Sequence, residues 1–180
     1  DTLLSEENLW TPSSGSGTHL VTGDRFEQAN AYEGEQRISA AYASNEFSVT
    51  EKLKTVIGIR AELFQTYYTG QNQAATEVYE NAKIIDKLDL FPSANIIYSL
   101  TEIENLRGSY SRTTARPSFK EASKSQIFDA ITNRLFIGNI ALTPSYINNF
   151  DVRYERFGEE GEMVAFSGFY KDFTDPIELT

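Results

Sequence analysis

Few residues in this chain could make or break a covalent bond. There is one histidine, His19, and no cysteine. Thiolate chemistry and multi-histidine metal sites are therefore absent, and Ser/His/Asp catalysis survives only with His19 as the base. The adjacent Glu159 and Glu160 have the right chemistry for a shared proton or a cation, but Gly158 and Gly161 flank them and mark a solvated turn. The Gly15-Ser16-Gly17 stretch lacks a phosphate-cradle pattern. A formal charge of -10 leaves no basic face for nucleic acid. No enzymatic activity, cofactor or metal is expected. The residues with recognition chemistry are Trp10, Tyr67, Tyr68, Arg112, Arg116 and Phe119, in or beside polar stretches. Rings stack on sugars or chelates, and arginine pairs with carboxylates. The commoner use of such residues is loop packing and anchoring.

The elements that must carry these residues are strands. Apolar and polar residues alternate with period two over several windows. Over 32–44, Ile38, Ala40 and Tyr42 oppose Glu33, Glu35 and Arg37. Over 53–63, Ile57, Ile59 and Leu63 oppose Arg60 and Glu62. Leu90, Ile96 and Tyr98 oppose Asp89; Tyr110 opposes Arg107; Val152 and Tyr154 oppose Asp151 and Arg153. Over 163–171 the contrast is weaker, and Val164, Phe166, Gly168 and Tyr170 are assigned to the apolar face. These windows predict strands at approximately 31–44, 52–68, 84–100, 106–113, 144–157 and 163–173, preceded by a polar loop over 1–30. Pro92 cannot donate to a ladder and predicts a bulge or an end to regular pairing. The stretch 118–131 has the composition of a short helix within a loop.

Connection lengths separate two kinds of β-protein. Short turns around 45–51, 101–105 and 158–162 alternate with long connections at 69–83 and 113–143. A membrane barrel sorts its connections in this way, with short turns in the periplasm and long loops outside. Aromatic residues fall in two groups, as interfacial girdles require. No run of 18 apolar residues provides a transmembrane helix. The fold expected is all-β: an antiparallel up-and-down meander of about six strands, part of a large transmembrane β-barrel in the outer membrane of a Gram-negative cell. Its lipid-facing row is Ile38, Ala40, Tyr42, Ile57, Ile59, Leu63, Leu90, Ile96, Tyr98, Tyr110, Val152 and Tyr154. Its lumen-facing row is Glu33, Arg37, Arg60, Glu62, Asp89, Arg107, Asp151 and Arg153. The alternatives are a soluble, secreted β-sandwich that binds carbohydrate and a passive porin-like barrel.

Several segments resemble the TonB-dependent outer-membrane receptor family. The stretch 106–119 shows a tyrosine-serine strand end, Tyr110-Ser111, followed by an Arg116-Pro117 loop. Gly138-Asn139 followed by Leu142-Thr143-Pro144 is similar to the family's Gly-Asn-Pro-x-Leu-x-Pro loop, with Ile140 where proline is common. Asp89-Leu90-Phe91-Pro92-Ser93, Gly58-Ile59-Arg60-Ala61-Glu62 and the closing Phe169-Tyr170-Lys171-Asp172-Phe173 also resemble it. The resemblance is to the branch with carboxypeptidase-like or SusC-like barrels. It implies a plugged barrel of about 22 strands, of which this chain is a fragment of roughly six. It implies uptake of a scarce siderophore, vitamin or glycan fragment. The partners implied are membrane lipid, a TonB energy-transducing complex acting through a plug outside this chain, a small-molecule or oligosaccharide ligand and a surface lipoprotein.

Overall fold

A computed structural model describes residues 28–129 and 131–178. The loop expected over 1–30 falls almost wholly outside them, and with it Trp10 and His19. After a short 3-10 turn at Gln28–Asn30, the chain forms eight strands: β1 (Glu33–Thr50), β2 (Leu53–Gln71), β3 (Val78–Ser99), β4 (Glu104–Ala115), β5 (Gln126–Asp129), β6 (Arg134–Ile137), β7 (Ser145–Phe157) and β8 (Met163–Thr174). Six form one antiparallel sheet in the order β1-β2-β3-β4-β7-β8, and β5-β6 is a separate hairpin. No second layer of sheet packs on the large one among the described residues.

Each tight turn is closed by its own polar residues. Between β1 and β2, Thr50 Oγ1 accepts from the backbone N–H of Lys52 and Leu53 at 3.3 and 3.1 Å. Between β3 and β4, the Leu100 N–H donates to the Glu104 carbonyl at 2.9 Å. Between β7 and β8, Gly158 N–H donates to the Glu162 carbonyl at 2.6 Å, and Gly161 takes a φ of +91° that a side chain would disfavour. At the opposite end, β2 and β3 run on as a long hairpin closed at Asn72, whose side-chain carbonyl accepts from Thr76 N–H at 2.9 Å. The connection expected at 69–83 is thus mostly strand.

Residues directly opposite in an antiparallel pair share a face. The register joins Ile57, Ile59 and Leu63 to Ala94, Pro92 and Leu88, then Ala94, Ile96 and Tyr98 to Tyr110, Gly108 and Leu106. It continues to Phe150, Val152 and Tyr154, and to Tyr170, Gly168 and Phe166. This outer face is apolar and open: Leu88 is 71% exposed and Phe166 69%. Soluble monomers rarely leave so many large apolar side chains contiguous. The inner face carries Arg60, Glu62, Asp89, Arg107, Asp151 and Arg153.

The first strand departs from the sequence expectation. Ile38 pairs with Phe64, Ala40 with Glu62 and Tyr42 with Arg60, so all three lie on the inner face. Glu33 and Arg37 pair with Thr69 and Gln65 and lie on the outer one. The cause is one residue. The ladder slips between Ser48 and Thr50, leaving Val49 unpaired next to the turn. An extra residue in one strand reverses the parity of everything beyond it. Without that bulge, Tyr42 would oppose Ala61 and the expected rows would follow.

Pro92 fits within the β2–β3 ladder opposite Ile59, whereas β3–β4 pairing stops at Ser93 opposite Ser111. Tyr146, on the row that carries Phe150 to the outer face lower down, donates its hydroxyl to Asp89 on the inner row of β3 at 2.8 Å. The helix expected within 118–131 is not formed. One turn opens at Ser118 and gives way to the β5-β6 hairpin.

The register predicts a simple crosslinking result. Ala41→Cys with Ala61→Cys should form a disulfide under mild oxidation, since the two are direct partners on one face. Ala40→Cys with Ala61→Cys should not, because the thiols point to opposite faces. The reverse pattern on a non-reducing gel would place the bulge elsewhere.

Candidate functional site: the inner face and the segment that covers it

The long connection between β4 and β7 does not extend away from the sheet. Residues 116–125 turn inward and lie across the inner row of β2. That row, Glu62, Phe64, Thr66 and Tyr68, is buried: Phe64 is 0% exposed and Tyr68 1%. Above the wall the segment contributes Ala122, Ser123 and Ser125, all buried.

Its local shape follows from a Ser-x-x-Glu motif. Ser118 N–H and Oγ donate to Glu121 Oε2 at 2.7 and 2.8 Å, and Glu121 N–H donates back to Ser118 Oγ at 3.3 Å. This reciprocal arrangement is a helix-opening box. Ala122 N–H completes one turn onto the Ser118 carbonyl at 3.0 Å. The helix then stops. Ser123 Oγ donates to the Lys120 carbonyl and accepts from Ser125 N–H, which draws the backbone away from helical pairing.

Five contacts seat the segment on the wall and on the adjoining β2–β3 connection. The Arg116 guanidinium pairs with Glu62 and lies 4.1 Å from the centroid of the Phe64 ring. Arg60 holds the other oxygen of Glu62 at 2.8 Å. Phe119 rests on Gly34, where any Cβ would collide with its ring. The Lys124 N–H donates to the Tyr68 hydroxyl at 3.1 Å, and Lys124 Nζ reaches Glu77 on the β2–β3 connection at 2.9 Å. Tyr68 itself sits among the rings of Tyr32 and Tyr79, with centroids 6.0 and 5.8 Å away.

The structure therefore brings Tyr68, Arg116 and Phe119 together, but as the packing that seats this segment rather than as an open surface. Arg112 is separate, 4.8 Å from the centroid of the Tyr146 ring. Tyr67 faces the other way. Its ring lies between Arg37 and Lys83 on the outer face, 4.9 and 5.8 Å from their charged groups. Lower on the inner wall, Arg107 and Arg153 are direct cross-strand partners and converge on buried Glu155, at 2.8 and 2.7 Å. Nearby, Asp151 accepts from Ser109 at 3.3 Å. Among the described residues no cluster of three or more His, Asp or Glu side chains could hold a metal ion. The sequence carried no signal for the Lys124–Glu77 pair, whose members are 47 positions apart (124 − 77) and become neighbours only when two connections meet.

Charge holds part of this contact. The Lys124 ammonium lowers the Glu77 carboxyl below its ordinary value of 4.5, and Glu77 raises Lys124 in return. The Ser118 backbone N–H, then its hydroxyl, lowers Glu121. A carboxylate with a depressed pKa in the folded state stabilises that state fully above its unfolded value, and the contribution fades as pH falls through the folded value. Hydrogen exchange of the amides over 118–125, corrected for intrinsic rates, should therefore accelerate below about pH 4.5 while the β2–β3 ladder stays protected. Unchanged protection at pH 3.5 would show that these carboxylates do not hold the segment.

Comparison with known proteins agrees with the geometry. Residues 16–180 match the model of the outer membrane protein beta-barrel family. Among solved structures, the alcaligin outer-membrane receptor FauA from Bordetella pertussis is similar at 16% identity and a TM-score of 0.49. The match covers 78% of this chain and 21% of that one, so the chain spans about a fifth of the receptor's length. No curated protein matches the chain. The six-stranded antiparallel sheet, apolar on one face and charged on the other, is a wall of an outer-membrane barrel, and the chain belongs to the outer membrane protein beta-barrel family.

Proposed function

We propose that this wall forms part of a TonB-dependent receptor, of the branch with SusC-like or carboxypeptidase-like barrels, that imports a scarce siderophore, vitamin or glycan fragment. The observation that carries the reading is a two-faced sheet, in a chain of this barrel family, whose inner face is charged and partly covered by its own long connection. The ordered motifs, from Gly58-Ile59-Arg60 through Arg116-Pro117 to Phe169-Tyr170, add the receptor character. Energy would come from a TonB complex acting through a plug domain, and a surface lipoprotein would assist capture if the cargo is a glycan.

The dimensions suit a membrane crossing. On β2 the outer apolar row runs from Leu53 to Leu63. Ten steps of about 3.3 Å give roughly 33 Å along the strand. A tilt of about 45° reduces this to roughly 23 Å, close to the ~25 Å apolar band of outer-membrane barrels. Immediately above that row come Gln65, Asp86, Lys83, Arg37 and Tyr67. Polar side chains, with a ring between two cations, are suited to the headgroup level. We assign Ile57, Ile59, Leu63, Leu90, Ile96, Tyr98, Tyr110, Val152 and Tyr154 to lipid. Arg60, Glu62, Asp89, Arg107, Asp151 and Arg153 are assigned to the lumen. In a bilayer every backbone polar group must be paired, and the continuous ladder does this between neighbouring strands.

Two measurements test the reading. Ile57→Arg places a charge near the middle of the apolar band, at a cost of about 2–4 kcal/mol, and should block assembly of the full-length protein, while Arg60→Ala assembles normally. Heat-modifiable gel migration reports both, and equal assembly would overturn the facing assignment. For transport, cells with and without the gene are compared for accumulation of labelled ferric siderophores, cobalamin and oligosaccharides. Import should require the gene and collapse when the proton gradient is dissipated. Uptake that ignores the gradient would identify a passive barrel instead.

A further inference from the structure

The covering segment is attached to the wall in an unusual way. No strand ladder joins it to the large sheet, since β5 and β6 pair only with each other. Its polar ties all use side chains: Arg116 to Glu62, Lys124 Nζ to Glu77, and the Lys124 N–H to the Tyr68 hydroxyl. Two buried side-chain polar atoms at this contact, Thr66 Oγ1 and Arg116 Nε, have no hydrogen-bond partner among the described residues. Thr66 stands between Phe64 and Tyr68 on the covered row. A buried polar atom without a partner costs free energy that exposure to water returns. The seam is thus incompletely hydrogen-bonded and held by a few charge-assisted contacts. Segments that open locally have such features.

We propose that residues 116–125 are a gate: docked in this structure, and able to swing off the inner wall about the ends of β4 and β7 when the Arg116–Glu62 and Lys124–Glu77 pairs release. Opening exposes Phe64, Thr66 and Tyr68 on the wall and frees Arg116 and Phe119 on the gate. Those groups can stack on a ring and pair with a carboxylate, chemistry that is sequestered while the gate is shut. The inference deepens the import reading and rests on it for its purpose, but the motion itself can be measured without any cargo.

The test uses the full-length protein in outer-membrane vesicles. The chain itself has no cysteine; with any cysteine elsewhere in the full-length protein replaced by serine, a single introduced thiol reports its own position. Ser123→Cys, 0% exposed in the docked segment, is labelled with a charged maleimide and compared with Thr143→Cys, an exposed position on the same connection. The docked gate should make Ser123→Cys at least about tenfold slower than Thr143→Cys. Adding Arg116→Gln should recover most of that factor, as loss of one charge-assisted contact implies. Glu77→Gln, on an exposed connection outside the barrel wall, should act in the same direction and serves if the Arg116 variant fails to assemble. Heat-modifiable migration confirms that each variant is folded. Two results overturn the proposal: labelling of Ser123→Cys as fast as Thr143→Cys from the outset, or a rate unmoved by either release variant in a folded barrel. Faster labelling without any gene-dependent uptake supports the gate and removes the import reading alone.

Discussion

In a β-ladder each side chain has two directions available, and hydrogen bonding to the neighbours decides between them for a whole row at once. Everything else in this protein depends on that constraint. Once Ile57 points outward, pairing carries the choice through Ala94, Tyr110 and Phe150 to Tyr170 across five strands. The same register sends Arg107, Arg153 and Glu155 inward together, where their charges meet. One face is then apolar and the other charged, and the backbone groups between paired strands satisfy one another, as a bilayer would require.

Within this arrangement the two faces are held by different forces. On the outer face, neighbouring side chains form bands. Tyr110, Phe150 and Tyr170 lie in a row, with ring centroids 5.0 and 6.2 Å apart across three strands. Such ring pairs favour the register that places them side by side. On the inner face, carboxylates are seated between arginines, as Glu62 is between Arg60 and Arg116. A buried carboxylate needs such partners, because leaving it unpaired would cost more than the pairing gains. Polar atoms left unmatched beside Glu62 are therefore informative. Thr66 Oγ1 and Arg116 Nε lie where the inner face is covered by a connection rather than by another strand.

That connection unites two readings of the same residues. Tyr68, Arg116 and Phe119 have the chemistry of a recognition surface, and in the docked state they act as packing. Both uses draw on the same properties: a flat ring, a planar cation and a neighbouring carboxylate. A segment held by such contacts can be displaced by a solute offering equivalent ones.

The sequence by itself determined the class of the fold and which residues of β2, β3, β4 and β7 share a face of the sheet. Period-two alternation was enough to identify an antiparallel wall with one apolar face, because it is a local consequence of strand geometry, whereas one of the two connections expected to be long, 69–83, is mostly strand. Composition was also enough to remove thiolate chemistry. Tertiary structure decided the rest. The bulge at Val49 reversed the faces of Ile38, Ala40, Tyr42, Glu33 and Arg37; no alternation pattern reveals a bulge, since it is defined by what the partner strand does. The inward fold of 116–125 was equally hidden. Its Ser-x-x-Glu box favours a helix locally; the bonds of Ser123 to Lys120 and Ser125 end it after one turn, and the contacts of Arg116 and Lys124 with distant residues seat the segment on the wall. Parity along a strand is written in the chain, whereas parity between strands, and the meeting of two connections, exists only once the strands have paired.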